Sequence, residues 1–144
     1  MVVERVIVDT NVLIAATDSA RPGHLAARSL IESDPRALCV SGQVLREFLA
    51  VATRSVEHNG LSLTGAVAVV TLGEVTSTLD VVEETASSRR FLHGLVGSGR
   101  AAGQQVHDAN LVAVAVEHGA TTIVTANPHH FARFVDLISI EELN

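Results

Sequence analysis

The first apolar run, Val6-Ile7-Val8, stops abruptly at Asp9-Thr10-Asn11, and apolar residues resume at once with "VLIAA". An unbroken branched run of this kind predicts a buried strand, here over residues 5–9, and the residues behind it open a helix. Beyond Pro22, Leu25, Leu30 and Ile31 recur at helical spacing, and Asp34-Pro35 marks a turn. "ALCV" (37–40) predicts a short buried strand. Ser41 is then placed to cap a long helix, "GQVLREFLAVATRSVEH", closed by Asn59-Gly60. A helix over "LTGAVAVVTLGEV", a strand over "LDVVE" and a helix over "TASSRRFLHGLV" follow. "GSGRAAG" (97–103) reads as a mobile connection into the helix "VHDANLVAVAVEHG", which ends at Gly119. "TTIVTA" is a strand, "PHHFARF" a turn or short helix, and "VDLISI" a last strand. Strands alternating with helices predict an α/β fold with a mostly parallel central sheet flanked by helices, as one domain over residues 1–144.

Acids interrupt this pattern where a core should be. In the helix from 41, Glu47 lies three residues after Val44 and four before Val51, on the same apolar stripe. Asp108 stands three, four and seven residues before Leu111, Val112 and Ala115, again on a buried face. Charged side chains are rarely buried without a partner. Asp9 ends a strand, and in open α/β sheets ligands sit beyond the carboxyl ends of the strands. Glu47, Asp108 and Asn127, just past "TTIVTA", fall toward that same edge. Taken singly, each acid has a plain structural role: Asp9 as a helix cap, Glu47 as an arginine partner, Asp108 as a charge at a helix start. Taken together, three carboxylates repel unless one is protonated or a hard divalent cation such as Mg²⁺ or Mn²⁺ lies between them.

"VIVDTNVLI", "VSGQVLREFLAV" and "VHDANLVAVAVEHGATTIVTANPHHF" resemble, in order and spacing, the successive motifs of the PIN-domain ribonucleases. The short form resembles most the VapC-type toxins of toxin–antitoxin pairs; residues 60–100 match only in helical character. The resemblance implies that Asp9, Glu47 and Asp108 are metal-binding acids and that Asn11 and Thr125 are supporting polar residues. It also implies an RNA substrate, a small antitoxin that inhibits the enzyme, and a homodimer. The family often carries a fourth acid where this chain has Asn127, an uncharged ligand, so a second metal position would be weakened. The expected reaction is phosphodiester hydrolysis by metal-activated water, leaving a 5′-phosphate and a 3′-hydroxyl. The alternative is a PIN-like binding module that has lost catalysis.

Composition narrows the choice. All ten basic residues are arginines, which removes any phosphoaspartate mechanism that needs a lysine. A single cysteine, Cys39, excludes an intrachain disulfide and a cysteine-rich metal site. The net charge of −6 argues against non-specific adhesion to nucleic acid, although metals gathered on acids invert the local field. No apolar run reaches the ~20 residues of a membrane span, and the N-terminus lacks a secretory pattern, so a cytoplasmic protein is expected. "GSGRAAG" is no nucleotide-binding fingerprint, and His129-His130 make a poor zinc site. With four phenylalanines and no tyrosine or tryptophan, recognition by RNA shape and backbone is expected over base stacking.

Overall fold

The computed structural model of the chain describes residues 3–144. Five parallel strands run in the order β3-β2-β1-β4-β5: β1 (Arg5–Val8), β2 (Ala37–Ser41), β3 (Asp80–Val82), β4 (Ala120–Thr125) and β5 (Ser139–Glu142). Six α-helices connect them: α1 (Thr10–Thr17), α2 (His24–Ser33), α3 (Gly42–Thr53), α4 (Gly65–Val75), α5 (Ala86–Gly97) and α6 (Gln105–Glu117). The expected parallel α/β fold is what the chain adopts. Val6, Ile7, Val8, Val40 and Ile123 are fully buried in the central strands, because helices cover both faces of a parallel sheet. Phe48, Val112, Phe131 and Phe134 close over them.

The chain winds outward from β1 through β2 to β3, then crosses to the far side of β1 for β4 and β5. Strand order therefore reverses between β1 and β4, and the crevice beyond their carboxyl ends is where such sheets hold ligands. Val8 pairs with Val124, and the Asp9 N–H donates to the Val124 carbonyl at 3.0 Å. Asp9 and Thr125 thus leave the two central strands side by side.

Four local expectations are corrected. The helix from 41 ends at Thr53, not near His58; a 3-10 turn over Val56–His58 follows. The returning segment takes the carbonyls that a longer helix would use: Leu61 N–H donates to Val51, Leu63 to Ala52 and Ser62 to Arg54. Gly60 permits this approach, since a Cβ there would lie 2.1 Å from the Arg54 carbonyl oxygen. The last strand begins at Ser139 rather than Val135. A 3-10 stretch over Pro128–Phe134 runs into a turn, in which Leu137 and Ile138 N–H both donate to the Phe134 carbonyl. Residues 97–103 are pinned rather than loose. Arg100 grips both carboxylate oxygens of Asp136 (2.7 and 3.1 Å) and the Arg133 carbonyl (2.6 Å), while its glycines supply positive φ at Gly99 and Gly103. Leu25, placed by its spacing among the apolar residues of α2, is 82% exposed.

One helix is apolar all round. α4 packs on α3 and α1, yet only its Ala68 is fully buried, and Val67, Val69 and Val70 face outward.

Candidate active site

Asp9 is both the last residue before a helix and the centre of a hydrogen-bond web. Its Oδ1 accepts from the Thr10 N–H at 2.8 Å and so caps α1. Its Oδ2 accepts from the Thr125 hydroxyl (2.8 Å) and the Asn11 amide (3.3 Å). Asn11 also donates to Thr125 Oγ1 (3.2 Å), and its own Oδ1 accepts from the Ala126 N–H (3.0 Å). Thr125 is completely buried. The "DTN" turn after β1 is thereby stitched to the end of β4, which is why polar residues interrupt the apolar pattern at that point.

Glu47 is held from two sides. The Thr10 hydroxyl donates to Oε2 at 2.7 Å, and the Gln43 amide, one helical turn earlier, donates to Oε1 at 2.9 Å. No arginine pairs with it among the described residues, so the structural alternative of an ion pair is not realised. Gln43 is buried, and its amide orientation is fixed by its neighbours. Its NH₂ serves Glu47 and the His107 carbonyl (3.1 Å), while its oxygen accepts from Asn110 (2.7 Å), which also donates to Glu84 (2.7 Å). Sequence patterning does not single out Gln43 or Thr10. The one signal for Gln43 is a polar residue four positions before Glu47 on the apolar stripe.

Asp108 sits half-buried in the first turn of α6 and accepts no hydrogen bond among the described residues. Burial pushes the Asp9 carboxyl above the usual carboxylate range; the Thr125 hydroxyl and Thr10 N–H pull it back, and the charges of Glu47 and Asp108 push it up. Burial also raises Asp108, opposed by His130, reinforced by Glu47, and opposed again by His107 and Arg133. The three acids therefore share one electrostatic neighbourhood. His130 and Arg133, on the 3-10 stretch read as a surface turn, belong to it too. Asn127 lines the same cleft as Asp9 and Glu47, with its N–H on Thr125 Oγ1 (3.1 Å).

Among the described residues no group of three histidine, cysteine, aspartate or glutamate side chains is disposed to hold a metal ion. The donor set is nonetheless one that Mg²⁺ or Mn²⁺ accepts: hard carboxylate and amide oxygens, few in number, in a cleft open to water. Such ions keep several waters and need no closed cage.

The PIN domain family model matches residues 6–137. The chain belongs to the PIN domain family. In fold it resembles a DNA-bound VapBC from Salmonella typhimurium (21% identity, TM-score 0.69, covering 98% of this chain and 99% of that one). It also resembles VapBC-5 from Mycobacterium tuberculosis, a member of the VapBC family of toxin–antitoxin systems (20%, 0.57, 97% and 98%). A third similar structure is VapC20 from Mycobacterium tuberculosis, a toxin that cleaves the sarcin–ricin loop (22%, 0.60, 82% and 86%). No curated protein matches the sequence.

Two predictions arise from this geometry. Replacing Gln43 with leucine removes a donor from Glu47 and leaves the Asn110 amide short of an acceptor. If Glu47 serves as a metal ligand in RNA cleavage, the rate should fall about tenfold, within the range for outer partners of metal ligands, with kcat rather than KM affected; an unchanged kcat would show that Thr10 alone orients Glu47. The second concerns pH. A carboxyl raised in the fold binds more protons there than in the unfolded chain, so metal-free stability is fullest below the unfolded value of 3.8 and falls as pH rises through the raised values of Asp9 and Asp108. A cation that binds the ionised acids should offset this loss, so Mg²⁺ or Mn²⁺ should raise Tm more at about pH 8 than at about pH 5. Melting curves with metal and with EDTA at both pH values test it.

Proposed function

We propose that this protein is a metal-dependent endoribonuclease of the VapC toxin type, inhibited by a small cognate antitoxin. The observation that carries the reading is that Asp9 and Glu47 line one cleft beside the strand-order reversal, each oriented by dedicated donors, with Asp108 near enough to push the Asp9 carboxyl up. Asp9, Glu47 and Asp108 would hold Mg²⁺ or Mn²⁺, with Asn127 an uncharged oxygen ligand at the cleft wall. Such a cation would supply neutralisation of phosphate charge and a more acidic water for attack on phosphorus, the products being a 5′-phosphate and a 3′-hydroxyl. Thr125 and Asn11 aim the Asp9 carboxylate, and Gln43 and Thr10 aim that of Glu47. No side chain acts as a nucleophile. The similarity to VapBC complexes supports an antitoxin partner, and the exposed valines of α4 are surface of the kind a protein partner covers. Assembly as a homodimer belongs to the same reading. Among the described residues no helix is long and apolar enough to cross a membrane.

The test is incubation of the purified protein with a cellular RNA pool, with Mg²⁺ or Mn²⁺ and with EDTA, beside Asp108→Asn. Metal-dependent fragments bearing 5′-phosphates from the wild type alone are expected. A second reading, a binding module without catalysis, is favoured by Asn127 standing where a fourth acid is common. It requires that no RNA be cut and that metal leave Tm unmoved.

A further inference from the structure

The arginines sort into two sets. Arg21, Arg28, Arg36 and Arg100 are paired with carboxylates, and Arg5 donates to the His118 carbonyl. Arg46, Arg54, Arg89 and Arg133 have no side-chain hydrogen bond or ion pair among the described residues, and Arg90 bonds only Ser87. The uncommitted ones are not scattered. Arg54 lines the cleft of about 610 Å³ that contains Asp9 and Glu47. Arg46 and Arg89 line a second cavity of about 320 Å³, together with Gln43, Asn110, His93 and His107. Arg133 is near enough to act on Asp108.

α3 forms a wall of both cavities. Gln43 and Arg46 face the second, and Glu47, Val51 and Arg54 face the first, so along α3 Glu47 falls between Arg46 and Arg54. Arg46 and Arg54 are separated by ~12 Å along the helix, at 1.5 Å per residue. The second cavity has one acid, Glu84, and that acid is engaged by Asn110. Both cavities have apolar floors, Leu92 and Val106 in one and Ile14 and Pro22 in the other, and neither has a phenylalanine on which a base could stack.

We propose that the two cavities are flanking subsites for one RNA strand, with Arg54 holding a backbone phosphate on one side of the scissile bond and Arg46 with Arg89 holding one on the other. The proposal rests on the ribonuclease reading of the acids between them. A chain of net charge −6 repels RNA at long range, so cations must stand where the strand lies. The planar guanidinium matches phosphate oxygens bidentately, which an unpaired arginine is free to do. Binding taken from phosphates that do not react can be used to position the one that does. The absence of phenylalanine from both linings fits a grip on the backbone rather than on bases.

The experiment measures binding of a short fluorescent single-stranded RNA to the metal-free protein as a function of salt, and cleavage of the same RNA with Mg²⁺. Variants are R54A, R46A/R89A, R46K/R89K and, as an exposed control on the same helix as Arg89, R90A. R54A and R46A/R89A should each weaken binding about tenfold and flatten the log–log salt slope by about 0.7 for every phosphate no longer held. R46K/R89K should restore the slope but only part of the affinity, and R90A should match the wild type. Unchanged slopes in R54A and R46A/R89A, or an equal loss in R90A, would overturn the proposal even if the wild type cleaves. Flattened slopes with no cleavage by the wild type would keep the strand path and remove the nuclease reading.

Discussion

Asp9→Asn is expected to fold and to cleave RNA about a thousandfold more slowly than the wild type. The amide oxygen still accepts from the Thr10 N–H, so the cap on α1 survives. What disappears is a charge, at an acid that both neighbouring carboxylates act upon, together with the oxygen that accepts from the Thr125 hydroxyl and the Asn11 amide. A metal contributes several kcal/mol of charge stabilisation in phosphoryl chemistry, and ~4 kcal/mol corresponds to the thousandfold loss. A second readout separates this from misfolding. Removing one of the two raised carboxyls should flatten the fall of metal-free stability with rising pH, with Asp108 left to supply the remainder. Wild-type cleavage by the variant would sink the proposed role of Asp9, whatever its stability.

Thr125→Val should damage stability and activity together. Valine matches threonine in shape but cannot donate to Asp9, and it cannot accept from the Asn11 amide or the Asn127 N–H. The position is wholly buried, so water cannot replace the lost hydroxyl without rearrangement. Leaving buried polar groups unsatisfied costs about 1–3 kcal/mol each when no relaxation occurs, and some relaxation is expected, so a loss of roughly 2 kcal/mol follows. The Asp9 carboxyl, deprived of a donor that lowers it, should rise further. Cleavage should fall about 10- to 100-fold, as for other outer partners of metal ligands, and recover partly at higher pH as Asp9 ionises. Thr125→Ser, which keeps the hydroxyl, should stay close to wild type in the pH profile. If valine shifts neither the melting curve nor that profile, the web around Asp9 is decoration.

The alternation of elements was legible where a strand is short and rich in branched residues, as in β1 and β4; β5, Ser-Ile-Glu-Glu, carries no such run, and its start was misplaced. Glu47 and Asp108 stood out because a charge on an apolar stripe contradicts its surroundings, and Asp9 because it ends a buried strand. What the sequence did not disclose depends on pairings between distant segments. The end of α3 is decided by residues 60–63 returning to claim its carbonyls, a competition invisible to a helical pattern read through Arg54. The role of Gln43 emerges only when α6 delivers the His107 carbonyl and Asn110 to it. Arg100 read as a loop residue without a fixed partner because Asp136 lies 36 positions away. His130 reaches Asp108 through folding of the 3-10 stretch, not through any spacing.

The bond between Thr125 and Asp9 closes a separation of 116 residues. Synthesis proceeds from the N-terminus, and long-range pairing of parallel strands is slow to form. While the ribosome is still making β4, the first strand has no partner on that side and Asp9 has no support from it. Chains that have not yet reached β4 therefore lack the assembled centre, and on the proposed reading they would have nothing with which to attack the RNA of the ribosome that makes them.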